Sequence, residues 1–438
     1  VERIDTQIAD GETDQWEAEM LEFRIPSSVL LFGEYAITQY GGIGLGLVAK
    51  ESTWTRIFLG GHVPPEQIVR NFSYQKPPSI LDIRLDPSSL QGIAESSDKK
   101  TAQYPHSKYP IHIRSICYPG HISPERIEYM WHCCFSVCWP AIKQTYLGNP
   151  STLTEATCLV DTRELFLSSR ELNRCRDETG EGLAMTTQKK GLSSSAGACL
   201  AMCLCLWSMA QLDPFDNASG FVEIVIAAHK LFQGGGSGYD VLTSYCGTTT
   251  LMMQMDKSTT SFQKHLFDPL ESENIVNDFY NLANTCEKEV SSNTWFSWMS
   301  IGDFFSLKNL FYTKSVETKN ALGAFIEYSM SHSELIKAQI DRSNKTNIHL
   351  IREMHEKDGD YQTVNNLITT LITYGLEIGT CIGVTADIPG NLVNDVTNSI
   401  EKEKTANPDD ELHWKSLGAG NETVGLFSYN RNLSRTIF

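Results

Sequence analysis

The chain has 438 residues, of which 41% are hydrophobic and 20% charged, and its formal net charge is −17 at pH 7. That length accommodates two or three domains with sizeable cores, and the composition is that of a folded protein and not of a disordered one. The excess of carboxylates argues against a general nucleic-acid or anionic-membrane surface, and it obliges any phosphate site to rely on local cations, backbone N–H groups and a metal ion.

Val1–Glu22 is acidic and polar, with no apolar leader, and the longest apolar run, Ala198–Leu212, is too short to span a bilayer. The expectation is a cytoplasmic protein without a membrane partner. Val29–Phe32 predicts a strand running into a turn at Gly33. Gly41, Gly42, Gly44 and Gly46 predict a tight reversal and a second strand over Ile43–Val48, and Thr53–Leu59 alternates in a β-like way. Residues 62–110, rich in Pro, Ser and charge, read as loops with short strands, and Ile127–Gln144 reads as a helix. Twelve cysteines in so long a chain do not make a disulfide scaffold. Neither Cys133, Cys134 and Cys138 nor Cys199, Cys203 and Cys205 has the paired spacing of a zinc site. Cys199 and Cys203 lie one helical turn apart and read as core, so reduced thiols are expected.

Residues 189–197 read Lys-Lys-Gly-Leu-Ser-Ser-Ser-Ala-Gly and run directly into an apolar segment. A helix N-terminus gathers unpaired N–H groups and partial positive charge, so it favours an anion. Gly191 and Gly197 allow close backbone approach, and Ser193, Ser194 and Ser195 can cap the helix, bond phosphate oxygens or help to hold Mg²⁺. Read alone, the string fits a capped helix with nothing bound equally well, and it lacks the residue order of a P-loop. Residues 198–210 are apolar on nearly every side and predict a buried helix. Val222, Val225 and Ile226 mark a further helix ending near Gly234, then Gln233–Gly238 is a second glycine-rich turn and Thr248–Met253 a strand. The character changes after about Leu270, which suggests domains over 20–265 and 266–438. In the second, Val364, Leu367, Ile368, Leu371 and Ile372 form an amphipathic helical stripe. Asn391–Leu412 reads as a polar helix plus surface loop, Lys415–Gly420 as a third glycine-bearing turn, and Val424–Tyr429 as a strand.

The order of these segments is more specific than any one of them. Pro26–Ala36, Gly191–Gly197, Gly236-Ser237-Gly238-Tyr239-Asp240-Val241 and Gly418-Ala419-Gly420 together resemble the motifs of the GHMP family of small-molecule kinases. The resemblance spans residues 23 to 430, with confident matching only at the motifs. Within the family it is closest to the phosphomevalonate kinases: Gly33-Glu34-Tyr35-Ala36 is similar to their first motif, and Ala228-His229-Lys230-Leu231-Phe232-Gln233-Gly234 leading to Val241 is similar to their Ala-His…Gln-Gly…Gly-Ser-Gly-[FY]-Asp-Val segment. Where mevalonate kinases place a metal-binding Glu, this chain has Ala228-His229, so that ligand is not carried over.

The resemblance implies an α+β fold of two domains, ribosomal-S5-like at the N-terminus and ferredoxin-like at the C-terminus. It implies ATP-dependent phosphorylation of a small anionic acceptor such as phosphomevalonate, with ATP and Mg²⁺ as cofactors and a monomer or homodimer as the working form. Lys190, Gly191, Leu192, Ser193, Ser194, Ser195, Ala196 and Gly197 would hold the ATP phosphates, with Ser194 or Ser195 assisting the metal. Asp240 resembles the family's catalytic Asp, and Glu34, Tyr35, Ser237, Gly238, Gly418, Ala419 and Gly420 would form substrate and closing loops. Two departures stand out. Pro26-Ser27-Ser28 replaces the family's Pro-Gly-Lys, leaving Arg24, Lys50 and Lys189 as candidate substitute cations, and Asn421-Glu422-Thr423 follows Gly420 where further glycines are usual. Kinase action on a hydroxyl, or a catalytically weak ligand-binding paralogue, are the alternatives.

Overall fold

The computed structural model describes residues 1–4, 19–60, 78–86, 111–118, 122–148, 153–167, 189–256, 269–302, 304–312, 318–356, 360–383, 392–408, 410–417 and 423–430. In chain order the first elements are β1 (Glu2–Ile4), β2 (Glu19–Phe32), β3 (Ile43–Leu59), β4 (Ser79–Leu85), β5 (Ile111–Tyr118), α1 (Pro124–Gly148) and β6 (Glu155–Asp161). Then come α2 (Ser194–Met209), α3 (Ala218–Gln233), α4 (Tyr239–Cys246), β7 (Thr250–Gln254), α5 (Pro269–Thr285), β8 (Ser291–Ser292), β9 (Phe296–Ser300) and β10 (Phe305–Tyr312). The last are α6 (Thr318–Ser331), α7 (Ser333–His355), α8 (Tyr361–Cys381), α9 (Val393–Ala406), β11 (Asp410–Leu417) and β12 (Thr423–Asn430). The class is α+β, as expected. None of the described helices is long and apolar enough to cross a membrane.

Two compact units are built from interleaved segments: Val1–Pro26, Ser52–Glu164 and Ser194–Gly236 make the first, and Ser27–Glu51, Leu165–Ser193 and Ser237–Phe438 the second. In the first unit, β5 pairs in parallel with β6 and antiparallel with β4, while β6 also pairs antiparallel with Trp54–Leu59 of β3. A parallel pair needs a crossover, which α1 supplies. α1, α2 and α3 pack on one another. Every residue of α2 from Ala196 to Met209 is buried, which accounts for a sequence without a polar stripe. A Cβ on Gly197 would meet Thr53 Oγ1 at 2.3 Å, so the first turn of α2 lies hard against β3. The cysteines of α1 and α2 are buried free thiols, in keeping with the core reading.

In the second unit, Ile43–Gly46 of β3 pairs antiparallel with β7, which continues to β9 and β8; β10, β12 and β11 form a separate antiparallel sheet. Phe32, Phe305 and Phe427 meet with ring centroids 6.1, 6.0 and 6.2 Å apart. Val364, Ile368 and Leu371 bury the predicted stripe of α8, which packs on α7. Gly33 holds φ +87°, and a Cβ there would meet the Ile43 carbonyl oxygen at 2.2 Å, so the turn after β2 admits only glycine. Asn344 of α7 accepts the Ile43 N–H at 2.9 Å and donates to the Gly41 carbonyl at 3.4 Å, which completes the glycine-rich reversal.

Three expectations change. β2 starts at Glu19, well before Val29. Ile43–Val48 and Thr53–Leu59 are one strand, because the polar stretch between them is strand too, with Lys50 exposed. Asp410–Leu412 opens β11 and is not surface loop: its backbone pairs with β12 from Asp410 opposite Asn430 onward. Of residues 62–110, Ser79–Leu85 is the described strand.

Candidate functional site

In the second unit the site is built around Ser28. Its β2 position is fully buried. The Ser28 hydroxyl donates to the Asp240 carbonyl at 3.0 Å and accepts from the Ser244 hydroxyl at 3.1 Å. The Ser193 hydroxyl donates to the Ser28 carbonyl at 2.9 Å, with the two Oγ atoms 3.3 Å apart. One residue therefore ties together three segments that the sequence related only by their order. It is also the residue at the position where the resembled motif has Lys. A lysine there would have to break this hydroxyl cluster and bury a charge.

Asp240 is the second residue of α4, after Gly238 at φ +88°. Its Oδ1 accepts the Val241 N–H at 2.9 Å, and its place in the first helical turn suits a carboxylate. Ser237 precedes this turn. Gly191 at φ +72° and Ser193 at φ +54° bend the Lys190–Ser193 stretch through the left-handed region. For Ser193 that conformation costs about 1–2 kcal/mol, against which its bonds to Ser28 act. Leu192 is buried between them. The Lys190 N–H donates to the Leu165 carbonyl at 2.9 Å, its carbonyl accepts from Thr423 Oγ1 at 2.8 Å, and its ammonium lies 3.5 Å from Glu51. Gly418, Ala419, Gly420, Asn421 and Glu422 lie outside the described residues.

The first-motif turn holds a pair that sequence reasoning missed. Lys415 of β11 is buried; its ammonium donates to the Leu31 carbonyl at 2.6 Å and pairs with the Glu34 carboxylate. It lies 5.5 Å from the Phe32 ring centroid. Burial pushes the Lys415 ammonium down to about 7. A Cβ on Gly375 of α8 would stand 3.3 Å from Glu34 Oε2, so the helix backbone walls the carboxylate. Tyr35, at φ 60°, stacks on Phe325 with centroids 4.8 Å apart, and burial raises its hydroxyl pKa. The available signal for Lys415 was a cation on an alternating segment just ahead of Gly418-Ala419-Gly420.

Ser194–Gly197 opens α2 in the first unit, with no acidic residue in the first turn. Ser195 Oγ accepts from Gln233 Nε2 at 2.7 Å and lies 3.0 Å from His229 Nε2. His229 is buried on α3, and Gln233 ends that helix one turn later. Gly234, at φ +76°, caps it. Of the other candidate cations, Arg24 donates to Ser52 Oγ at 3.0 Å, Lys50 is exposed, and Lys189 bridges to Phe166 in the second unit. Among the described residues no group of three His, Cys, Asp or Glu side chains is placed to hold a metal ion. The hydroxyls of Ser194 and Ser195 are oxygen donors of the kind Mg²⁺ accepts when it keeps most of its waters.

No family model matches the sequence, and no curated protein matches it. Solved structures do. The Lin0012 protein from Listeria innocua matches at 16% identity over 94% of this chain and 91% of its own, with a TM-score of 0.56. Phosphomevalonate kinase of Streptococcus pneumoniae, in complex with phosphomevalonate and AMPPNP, matches at 13% identity over 94% and 93%, with a TM-score of 0.46. L. major mevalonate kinase, in complex with R-mevalonate, matches at 11% identity over 95% and 90%, also with a TM-score of 0.46. The first likeness shows a shared fold; at TM-scores below 0.5 the two kinases add nothing to it.

Proposed function

We propose that this chain is an ATP-dependent phosphotransferase of the GHMP type that acts on a small anionic acceptor, with phosphomevalonate as the first candidate. The observation that carries this reading is the Ser28 cluster, in which the first motif, the phosphate-loop stretch and the Asp240 helix share one set of hydrogen bonds at a buried serine. Such a cluster fixes backbone positions, and positioning is most of what phosphoryl transfer asks of a protein. The N–H groups and dipole of α2 take the ATP phosphates, with no protein carboxylate in that first turn to compete. Ser194 or Ser195 would hold Mg²⁺, which would supply charge neutralisation for phosphoryl transfer. A phosphate acceptor is already ionised near neutral pH, so Asp240 orients the acceptor or the metal and removes no proton. The Glu34–Lys415 pair holds the substrate-facing turn in place.

The test is ADP release by the purified protein with Mg·ATP and each of phosphomevalonate, mevalonate, galactose and homoserine. Turnover with phosphomevalonate alone is expected. Turnover only with mevalonate transfers the role to a hydroxyl acceptor with Asp240 as base. ATP binding without turnover on any acceptor points to a ligand-binding paralogue.

A further inference from the structure

β4 is the terminal strand of its sheet: among the described residues it pairs with β5 alone, from Ser79 opposite Cys117 to Leu85 opposite Ile111. A terminal strand presents a row of N–H and C=O groups that a further strand can complete. The side chains of β4 alternate between two rows. Leu81, Ile83 and Leu85 form the apolar row, in which Ile83 and Leu85 are buried and Leu81 is only half-buried. Ile80, Asp82 and Arg84 form the other row, and all three are exposed. Asp82, its side chain 74% exposed, accepts from Arg114 Nε of β5 at 3.2 Å. Charges on a sheet edge ordinarily discourage pairing when they are alike. This edge carries one of each sign, two residues apart.

Two copies of β4 laid antiparallel about a two-fold axis keep each row on its own face only if each residue faces itself or a residue an even number of places away. Three such registers overlap most of the strand, centred on Leu81, Asp82 or Ile83. Centred on Leu81, Ile80 faces Asp82 and Ser79 faces Ile83, so apolar meets polar in both rows. Centred on Asp82, the two Asp82 carboxylates face each other. Centred on Ile83, Asp82 faces Arg84 twice, Leu81 faces Leu85 twice, and Ile83 faces itself. Only this last register sets opposite charges and apolar pairs directly across the ladder, where each is favourable. It also covers the half-buried Leu81 and places Asp82 between Arg114 of its own sheet and Arg84 of the other copy. We propose that β4 is a self-pairing edge through which two copies of this chain join their sheets, in the register centred on Ile83. The occupant is a second copy because the order of residues from Leu81 to Leu85 is its own antiparallel complement in both charge and apolarity. A strand pair of this length is smaller than a standard interface, so the dimer is reversible and concentration-dependent. The inference stands apart from the kinase reading.

The test is sedimentation equilibrium of the full chain from about 1 to 500 µM, which yields a dimer dissociation constant. Asp82→Lys and Arg84→Glu, both at exposed positions, each turn the two cross-copy ion pairs into like-charge pairs. Either is expected to raise the dissociation constant about tenfold or more. An equimolar mixture of the two variants should recover the wild-type constant, because in the mixed dimer every cross-copy pair is again of opposite sign. Misfolded variants would not recover on mixing, so the mixture separates lost pairing from lost structure. Hydrogen exchange of the β4 amides in the wild type should slow as its concentration rises. A wild type that stays monomeric over the whole range overturns the proposal. So does a dimer indifferent to both substitutions, or one that the mixture fails to restore. Protection of β4 that is equal at every dilution shows that the chain itself covers the edge, and overturns it as well.

Discussion

Replacing Ser28 by Ala removes the bond donated to the Asp240 carbonyl and the bond accepted from Ser244, both at a position with no solvent exposure. The bond from Ser193 to the Ser28 carbonyl survives, because it uses backbone. Two buried hydrogen bonds at about 1 kcal/mol net each give a loss of about 2 kcal/mol. At a slope of about 3 kcal/mol/M, the urea midpoint falls by about 0.7 M, readable by tryptophan fluorescence. Ser244→Ala alone costs about 1 kcal/mol, and the double variant costs about 1 kcal/mol less than the sum, because both changes break one shared bond. Ser28→Lys is more damaging than Ala, since an ammonium at this buried position has no water to reach. A Ser28→Ala loss below about 0.5 kcal/mol, or strict additivity with Ser244→Ala, refutes the hub.

Lys415→Met leaves the Glu34 side chain, 11% exposed, without its cation; thermal unfolding should reveal a loss of about 3–5 kcal/mol, partly recovered by adding Glu34→Gln. His413 stacks on Phe427 at 5.6 Å, its Nε2 is buried with no hydrogen-bond partner among the described residues, and burial pushes its pKa from 6.5 down to about 4. Between those values the unfolded chain binds a proton that the folded chain refuses, so stability falls on acidification through that window by up to about 1.4 kcal/mol per pH unit. Denaturant titrations from pH 7 to 4 should show a shallower decline for His413→Phe, and parallel slopes count against the assignment. On the kinase reading, Asp240→Ala lowers turnover by about 10²-fold through lost positioning with little change in ATP affinity, and equal small effects on both would remove its role.

What the sequence disclosed followed from how each segment is buried. α2 was legible because every side chain from Ala196 onward meets core, and α8 because its apolar stripe has one period. β11 was hidden because one of the two residues it buries is a charged one, Lys415, and His413 lies two residues before it on the same strand. The polar middle of β3 concealed a single strand for a similar reason. At the candidate site, the order of the glycine-bearing segments was visible, but their joining was not. Ser28 carried meaning only as a missing lysine until its partners, 165 to 216 residues away, were in place. His229 was legible as part of a resembled motif, but its contact with Ser195 was not, because that depends on α2 packing on α3.

The Asn344 side chain that completes the Gly41–Ile43 reversal lies 301 residues downstream of Ile43. At a synthesis rate of about 5–20 residues per second, that separation is about 15–60 s of ribosome time. Throughout that interval the Ile43 N–H lacks its native partner, and the turn that carries Glu34 and Tyr35 waits on a helix not yet made. The nascent chain therefore emerges with its earliest motif among the last to be locked, a slow-folding element set by long-range closure and not by local propensity. Expression yield should accordingly respond to chaperone supply more strongly than the stability of the finished protein would suggest.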